Sequence, residues 1–141
     1  ALRTIPIYVR FAEAIKQNSP DAWIINYTNP MSLCVKTLYL CGPVQAVVET
    51  NAVFERDAIR PILAGDLPEC VKELIMPAFE NHEAILEAAL TCNEELVVKA
   101  FMNDPQVKGR KCKEQDIRLL VKDMLDGTKK YLPEGWSSYK R

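Results

Sequence analysis

Apolar residues recur at helical spacing from about Ile5 to Gln17. Ile7, Tyr8, Phe11, Ala14 and Ile15 fall on one side, with Arg10, Glu13 and Lys16 on the other. The pattern predicts a first helix, with Pro6 tolerable near its first turn. Asn18-Ser19-Pro20-Asp21 supplies the turn chemistry that ends it. Ala22 to Tyr27 has a different character. It is short, apolar and rich in β-branched and aromatic residues, which predicts a buried parallel strand. Thr28-Asn29-Pro30 stops it. Helical spacing then returns from Met31 to Leu40, where Met31, Cys34, Val35 and Leu38 form a stripe. Helix, strand, polar turn, helix is the rhythm of an α/β sheet.

Cys41-Gly42-Pro43 breaks the chain. Val44 to Glu49 is a second strand candidate, and Asp57 to Leu63 a third, placed at an edge by Pro61. From Asp66 onward the pattern is helical. Asp66 is the expected cap, with Pro68 in the first turn. Val71, Leu74, Ile75, Phe79, Ile85, Leu86 and Leu90 supply a long apolar face, with a kink expected at Pro77. Thr91-Cys92-Asn93-Glu94 fits a capping box ahead of Leu96, Val97, Ala100 and Phe101. Asn103-Asp104-Pro105 ends that helix. A last helix is expected from Glu114 to Lys130, with Ile117, Leu120, Val121, Met124 and Leu125 inward and an irregular tail from Tyr131 to Arg141.

Composition narrows the function classes. A length of 141 residues suits one domain, and 48% hydrophobic residues argue against disorder throughout the chain. Lys plus Arg is 18 against 19 acidic residues, so broad attraction to phosphate, and with it a nucleic-acid partner, is not expected. No apolar run approaches the ~20 residues that span a bilayer, so no membrane partner is expected. Five cysteines without a C-x-x-C pair predict reduced, mostly buried thiols in a cytoplasmic protein. Ala1-Leu2-Arg3-Thr4 carries neither an initiator Met nor a signal-peptide pattern, so the chain is expected to start inside a larger protein.

Candidate chemistry is sparse. Open α/β sheets bind ligands beyond the carboxyl ends of their strands, and Asn29 stands at such an end. Its amide can both donate to and accept from a sugar hydroxyl or a cofactor. Equally, Asn29-Pro30 can simply turn the chain and cap the following helix. His82, the single histidine, lies among Asn81, Glu83 and Glu87 without a second His one turn away. It reads as a surface or packing residue. Glu80/Glu83 and Glu94/Glu95 read as solvated helix faces. The glycines at 42, 65, 109, 127 and 135 form neither G-x-G-x-x-G nor a P-loop.

Two stretches together resemble glycoside hydrolase family 4. One is Ala1-Leu2-Arg3-Thr4-Ile5-Pro6 followed by Asp21-Ala22-Trp23-Ile24-Ile25-Asn26-Tyr27-Thr28-Asn29-Pro30-Met31-Ser32. The other is Val48-Glu49-Thr50-Asn51-Ala52-Val53-Phe54, Gly65-Asp66-Leu67-Pro68, Glu87-Ala88-Ala89-Leu90-Thr91 and Asn103-Asp104-Pro105. Asn26 to Cys34 looks most like the α-galacturonidase and α-galactosidase branch. The resemblance implies an α/β fold: a fragment of a Rossmann-type sheet in residues 1–43, then a mainly helical part of the family's C-terminal domain in residues 44–141. It places a sugar-contacting role on Asn29 and implies a homo-oligomer contact through residues 66–101.

The implied cofactors are NAD and a divalent metal, usually manganese. By resemblance, NAD takes hydride from C3 of the sugar, a base removes the acidified C2 proton, and the glycosidic bond leaves by elimination. Water then adds and the hydride returns, with the metal polarising the C2 and C3 oxygens. The two-carboxylate route does not apply. The family's glycine-rich loop, its metal-binding Cys-His pair and its catalytic Tyr have no counterparts here. Cys41 is not followed by His, and His82 does not match the metal ligand, so no catalytic, metal or nucleotide residue is carried over. The expected function is a portion of an enzyme cleaving α-galacturonides or related α-glycosides, inactive as this chain alone. The alternative is a non-catalytic truncated domain that keeps only packing and oligomerisation surfaces.

Overall fold

The computed structural model describes residues 1–42, 51–63 and 65–137. The first helix, α1, spans Thr4–Asn18 and buries Ile5, Tyr8 and Ala12. The buried stripe shares only Tyr8 with the expected one: Ile5 and Ala12 were not expected inward, Phe11 is about half exposed and Ala14 is exposed. The second helix, α2, spans Met31–Cys41 and buries Leu33, Cys34, Thr37 and Leu38. The two helices meet through Tyr8, Ala12, Cys34 and Leu38. Thr37 is tolerated in this contact because its hydroxyl donates to the Leu33 carbonyl at 2.7 Å, leaving no orphan polar group.

Residues 22–28 do not form the expected strand. The side chains alternate as in a strand, with Trp23, Ile25 and Tyr27 exposed and Ile24 and Asn26 partly buried. A strand also needs a neighbour for its backbone groups, and among the described residues none lies alongside. The Val44–Glu49 strand candidate lies outside the described residues. The strands that do form are β1, Ala52–Phe54, and β2, Ile59–Pro61. They pair antiparallel, Val53 opposite Arg60, as a two-stranded hairpin. Pro61 ends the ladder opposite Ala52, consistent with its edge placement.

The longest helix, α3, spans Glu69–Thr91. Asp66 does not cap it. The cap position is Pro68, whose ψ of 143° is extended, and no side chain caps this end. The helix runs through Pro77. Its C-terminal half carries the burial, at Leu86, Ala88 and Ala89, whereas Val71, Leu74 and Phe79 of the expected apolar face stay exposed. Ile5 and Leu33 pack on Leu86 and Ala89, which seats α1 and α2 on α3.

Asn93, not Thr91, caps α4 (Glu94–Asn103), its side chain accepting from the Glu95 N–H at 3.0 Å. Thr91 is still helical and donates to the Glu87 carbonyl. Asp104 caps the short α5, Pro105–Gly109, through the Gln106 N–H at 2.8 Å. The last helix, α6, spans Glu114–Thr128 and buries Ile117 and Val121. Leu120 and Met124, expected inward, are nearly half exposed. Within the tail, the described residues 131–137 are more regular than the composition predicts. A 3-10 turn at Glu134–Ser137 places Trp136 in the cluster of Ala88, Val97, Val98, Ile117 and Val121. Among the described residues the architecture is therefore mainly helical with one small antiparallel sheet. All five cysteines are free; Cys34 is buried and Cys70 is exposed.

Candidate functional site

Asn29 lies in the link between residues 22–28 and α2, and it is exposed. The Asn29-Pro30 peptide bond is cis. Pro30 occupies the N-cap of α2, and no side chain caps that end. The capping half of the simpler reading is therefore not realised; the turn remains.

Both flanks of this turn are fastened. On one side, the Tyr8 hydroxyl of α1 donates to Asn26 Oδ1 at 2.6 Å. The same oxygen accepts the Thr28 backbone N–H at 3.3 Å. The Asn26 amide Nδ2 is buried and has no partner among the described residues. On the other side, Ser32 Oγ and His82 Nδ1 share a hydrogen bond of 3.3 Å between α2 and α3. One helical turn further on, Lys36 and Glu83 pair across the same two helices. Burial pushes the Cys34 thiol above its ordinary pKa, partly offset by a hydrogen bond with Tyr8.

His82 thus falls where the packing reading puts it, although its partner Ser32 was not foreseen. Tyr8 and Asn26 were also missed. Tyr8 reads as an ordinary member of an apolar stripe. The available cue was Asn26, a polar residue inside the run Ile24-Ile25-Asn26-Tyr27.

Away from this turn, a concavity of about 490 Å³ is lined from α3 and α4 by Glu80, Asn81, Glu83, Glu87, Lys99 and Asn103, among others. Its polar groups are largely engaged with one another. Asn103 Nδ2 donates to Asn81 Oδ1 at 3.0 Å and to Glu80 Oε2 at 3.3 Å, and Lys108 donates to Asn103 Oδ1 at 2.5 Å. Glu83 is taken by Lys36. Glu80 and Glu83, expected as solvated helix faces, are exposed but also bond Asn103 and Lys36 on neighbouring helices.

The described residues do not fit the cofactors that the resemblance implies. No group of three His, Cys, Asp or Glu side chains converges to hold a metal. The chain also lacks the glycine-rich turn that lets a dinucleotide pyrophosphate approach a backbone. No helix among the described residues is long and apolar enough to cross a membrane.

Residues 4–107 match the family 4 glycosyl hydrolase C-terminal domain, and the chain belongs to that family. It is 60% identical over 95 residues to an alpha-galacturonidase of Lachnoclostridium phytofermentans, covering 67% of this chain and 20% of that protein. An alpha-galacturonidase of Thermoanaerobacter italicus is 44% identical over 90 residues, covering 64% of this chain and 19% of that protein. An alpha-galactosidase of Bacillus subtilis is 38% identical, covering 46% of this chain and 18% of that protein. The chain thus spans about a fifth of the length of these curated relatives. No solved structure matches it.

Proposed function

We propose that this chain is part of a glycoside hydrolase that cleaves α-galacturonides or related α-glycosides in the cytoplasm. The observation that carries the reading is the 60% identity to a protein named alpha-galacturonidase. In this reading Asn29 presents its amide to the sugar. Its exposure and the absence of a capping bond at α2 leave that amide available. The match over residues 4–107 supports assigning most of residues 1–43, expected as the end of the nucleotide-binding half, to the C-terminal domain in this reading. NAD and manganese, where the whole enzyme uses them, are held by parts of the polypeptide other than the residues described here. This chain's own contribution is to bind and orient substrate at Asn29 and to form a homo-oligomer contact through residues 66–101.

The test is an assay of the full polypeptide carrying this segment against aryl α-galacturonide and aryl α-galactoside. Faster release from the galacturonide, with NAD, manganese and reductant present, is expected. The 141-residue chain alone is expected to release nothing. Robust NAD- and manganese-dependent release by the purified short chain would overturn the division of labour. Equal inactivity of the full polypeptide would favour the non-catalytic domain.

A further inference from the structure

The geometry points to Tyr8 as a positioning residue for substrate, acting through Asn26 on the turn that presents Asn29. This inference rests on the reading of Asn29 as the sugar-contacting amide.

Tyr8 is 8% exposed, with its ring fixed between α1 and α2 by Ala12, Cys34 and Leu38. Its hydroxyl is therefore held by packing on two helices. That hydroxyl makes a 2.6 Å bond to Asn26 Oδ1 across 18 residues of sequence. Asn26 passes the restraint on, because the same oxygen accepts the Thr28 N–H at 3.3 Å. Thr28 is adjacent to Asn29. A rigid helix pair is thus linked by two hydrogen bonds sharing one oxygen to the residue before the candidate amide. Residues 22–28 have no strand partner among the described residues, and Tyr27 is 92% exposed; besides this link, Ile24 packs against the Tyr8, Ala12, Cys34 and Leu38 cluster and the Ala22 N–H donates to the Ser19 carbonyl at 3.1 Å. Without the link, the N-terminal flank of the Asn29 turn would be anchored no nearer than Ile24, while its C-terminal flank stays joined to α2 through Pro30. Small misplacements of a positioning group are expensive in turnover.

A core tyrosine in this place could have been phenylalanine, since the ring alone fills the space. The hydroxyl is the part that packing does not explain; it makes a short bond to the partly buried Asn26 amide and also meets the Cys34 thiol within α1 and α2. Tyr8→Phe removes that oxygen and keeps the ring, so it separates positioning from packing.

The experiment is a double-mutant cycle in the full polypeptide carrying this segment, with aryl α-galacturonide as substrate. Tyr8→Phe is expected to lower kcat/KM about fivefold, mostly through kcat. In the Asn29→Ala background the same change is expected to cost nothing further, because the group being aimed is gone. In the 141-residue chain, Tyr8→Phe is expected to speed hydrogen exchange at the Thr28 amide while the helices keep their protection. An equal loss in both backgrounds would assign Tyr8 to general packing and overturn the inference. So would an unimpaired Tyr8→Phe beside a crippled Asn29→Ala, which leaves the reading of Asn29 intact. Wild-type activity in Asn29→Ala would overturn the reading itself and the positioning role with it.

Discussion

The Arg118 guanidinium grips Glu95 with two parallel hydrogen bonds, Nη1 to Oε1 at 2.6 Å and Nη2 to Oε2 at 2.9 Å, tying α6 to α4. Arg118 also reaches Glu114 on its own helix, Nε to Oε1 at 2.9 Å. The fork of the guanidinium matches a carboxylate, which fixes geometry as well as attraction. The hydrogen bond from Arg118 holds the Glu95 carboxyl below the usual Glu range. Both side chains are exposed, so water and salt screen the pair.

The pH dependence of this contact follows from that direction. A carboxylate whose folded pKa is depressed contributes stability above its unfolded pKa and loses it as pH falls through the folded value. The thermal midpoint of Arg118→Gln should therefore lie below wild type at pH 7. The gap should close as pH drops well under the ordinary Glu value of about 4.3. High salt at pH 7 should also narrow it. An undiminished gap at low pH would assign the effect to lost packing of the Arg118 stem.

Thiol reactivity should sort the cysteines by position. Burial raises the pKa of both Cys34 and Cys92, which lowers their thiolate fraction near neutral pH. Cys70 is exposed at the start of α3. Timed alkylation of the native protein, read by peptide mass spectrometry, should label Cys70 first. Cys34 should be labelled only as the α1 and α2 contact opens. Cys34 reacting as fast as Cys70 would mean that this contact does not persist in solution.

Gly135 should resist substitution. A Cβ built there would stand 2.7 Å from Cys92 Sγ, closer than van der Waals contact permits. Cys92 is itself left-handed at φ 54° and ends α3. Gly135→Ala should cost about 1–3 kcal/mol, the usual range for overpacking. In a Cys92→Ala background the obstructing sulfur is gone and the same change should cost less. Matched denaturant titrations of the four proteins measure the difference. Equal costs in both backgrounds would mean that the tail moves aside.

Helical periodicity was legible because each helix repeats its pattern over several turns. Position 8 of α1 and positions 117 and 121 of α6 are readable as inward from spacing alone, whereas Ile5 and Ala12 fall outside the expected stripe of α1. The strand at Ala22–Tyr27 was read from local composition, but strand formation depends on a neighbour, which local composition does not report. Caps were misplaced by short steps. Thr91 fits a capping box as well as Asn93 fits a simple cap, and side-chain geometry decides between them. The turn at Asn29 was found from its position after an apolar run. Its fasteners were not, since Tyr8 and Asn26 are 18 residues apart, and Ser32 and His82 are 50 apart. Trp136 was missed because the eleven residues from Tyr131 to Arg141, with Pro133 and Gly135, carry no periodicity, although one large ring suffices to dock the turn at Glu134–Ser137.

The exposed half of α3 should be an interface between copies. Leu74 is 79% exposed, Phe79 56% and Met76 48%. These residues precede the half of α3 that packs against α1, α2 and α4. Together with Val71 they form an apolar stretch of the kind that soluble monomers rarely leave in water. A two-fold pairing of one α3 with another would cover the same residues on both partners. Sedimentation of the full polypeptide should therefore give a dimer or larger species. Replacing Leu74 and Phe79 by glutamate should shift it to monomer at the same concentration, with helical circular dichroism retained, because neither side chain is buried within the chain. A wild-type protein that stays monomeric and folded across micromolar concentrations would rule this interface out. A glutamate pair that loses its helical signal would instead place Leu74 and Phe79 in the core of the longer polypeptide.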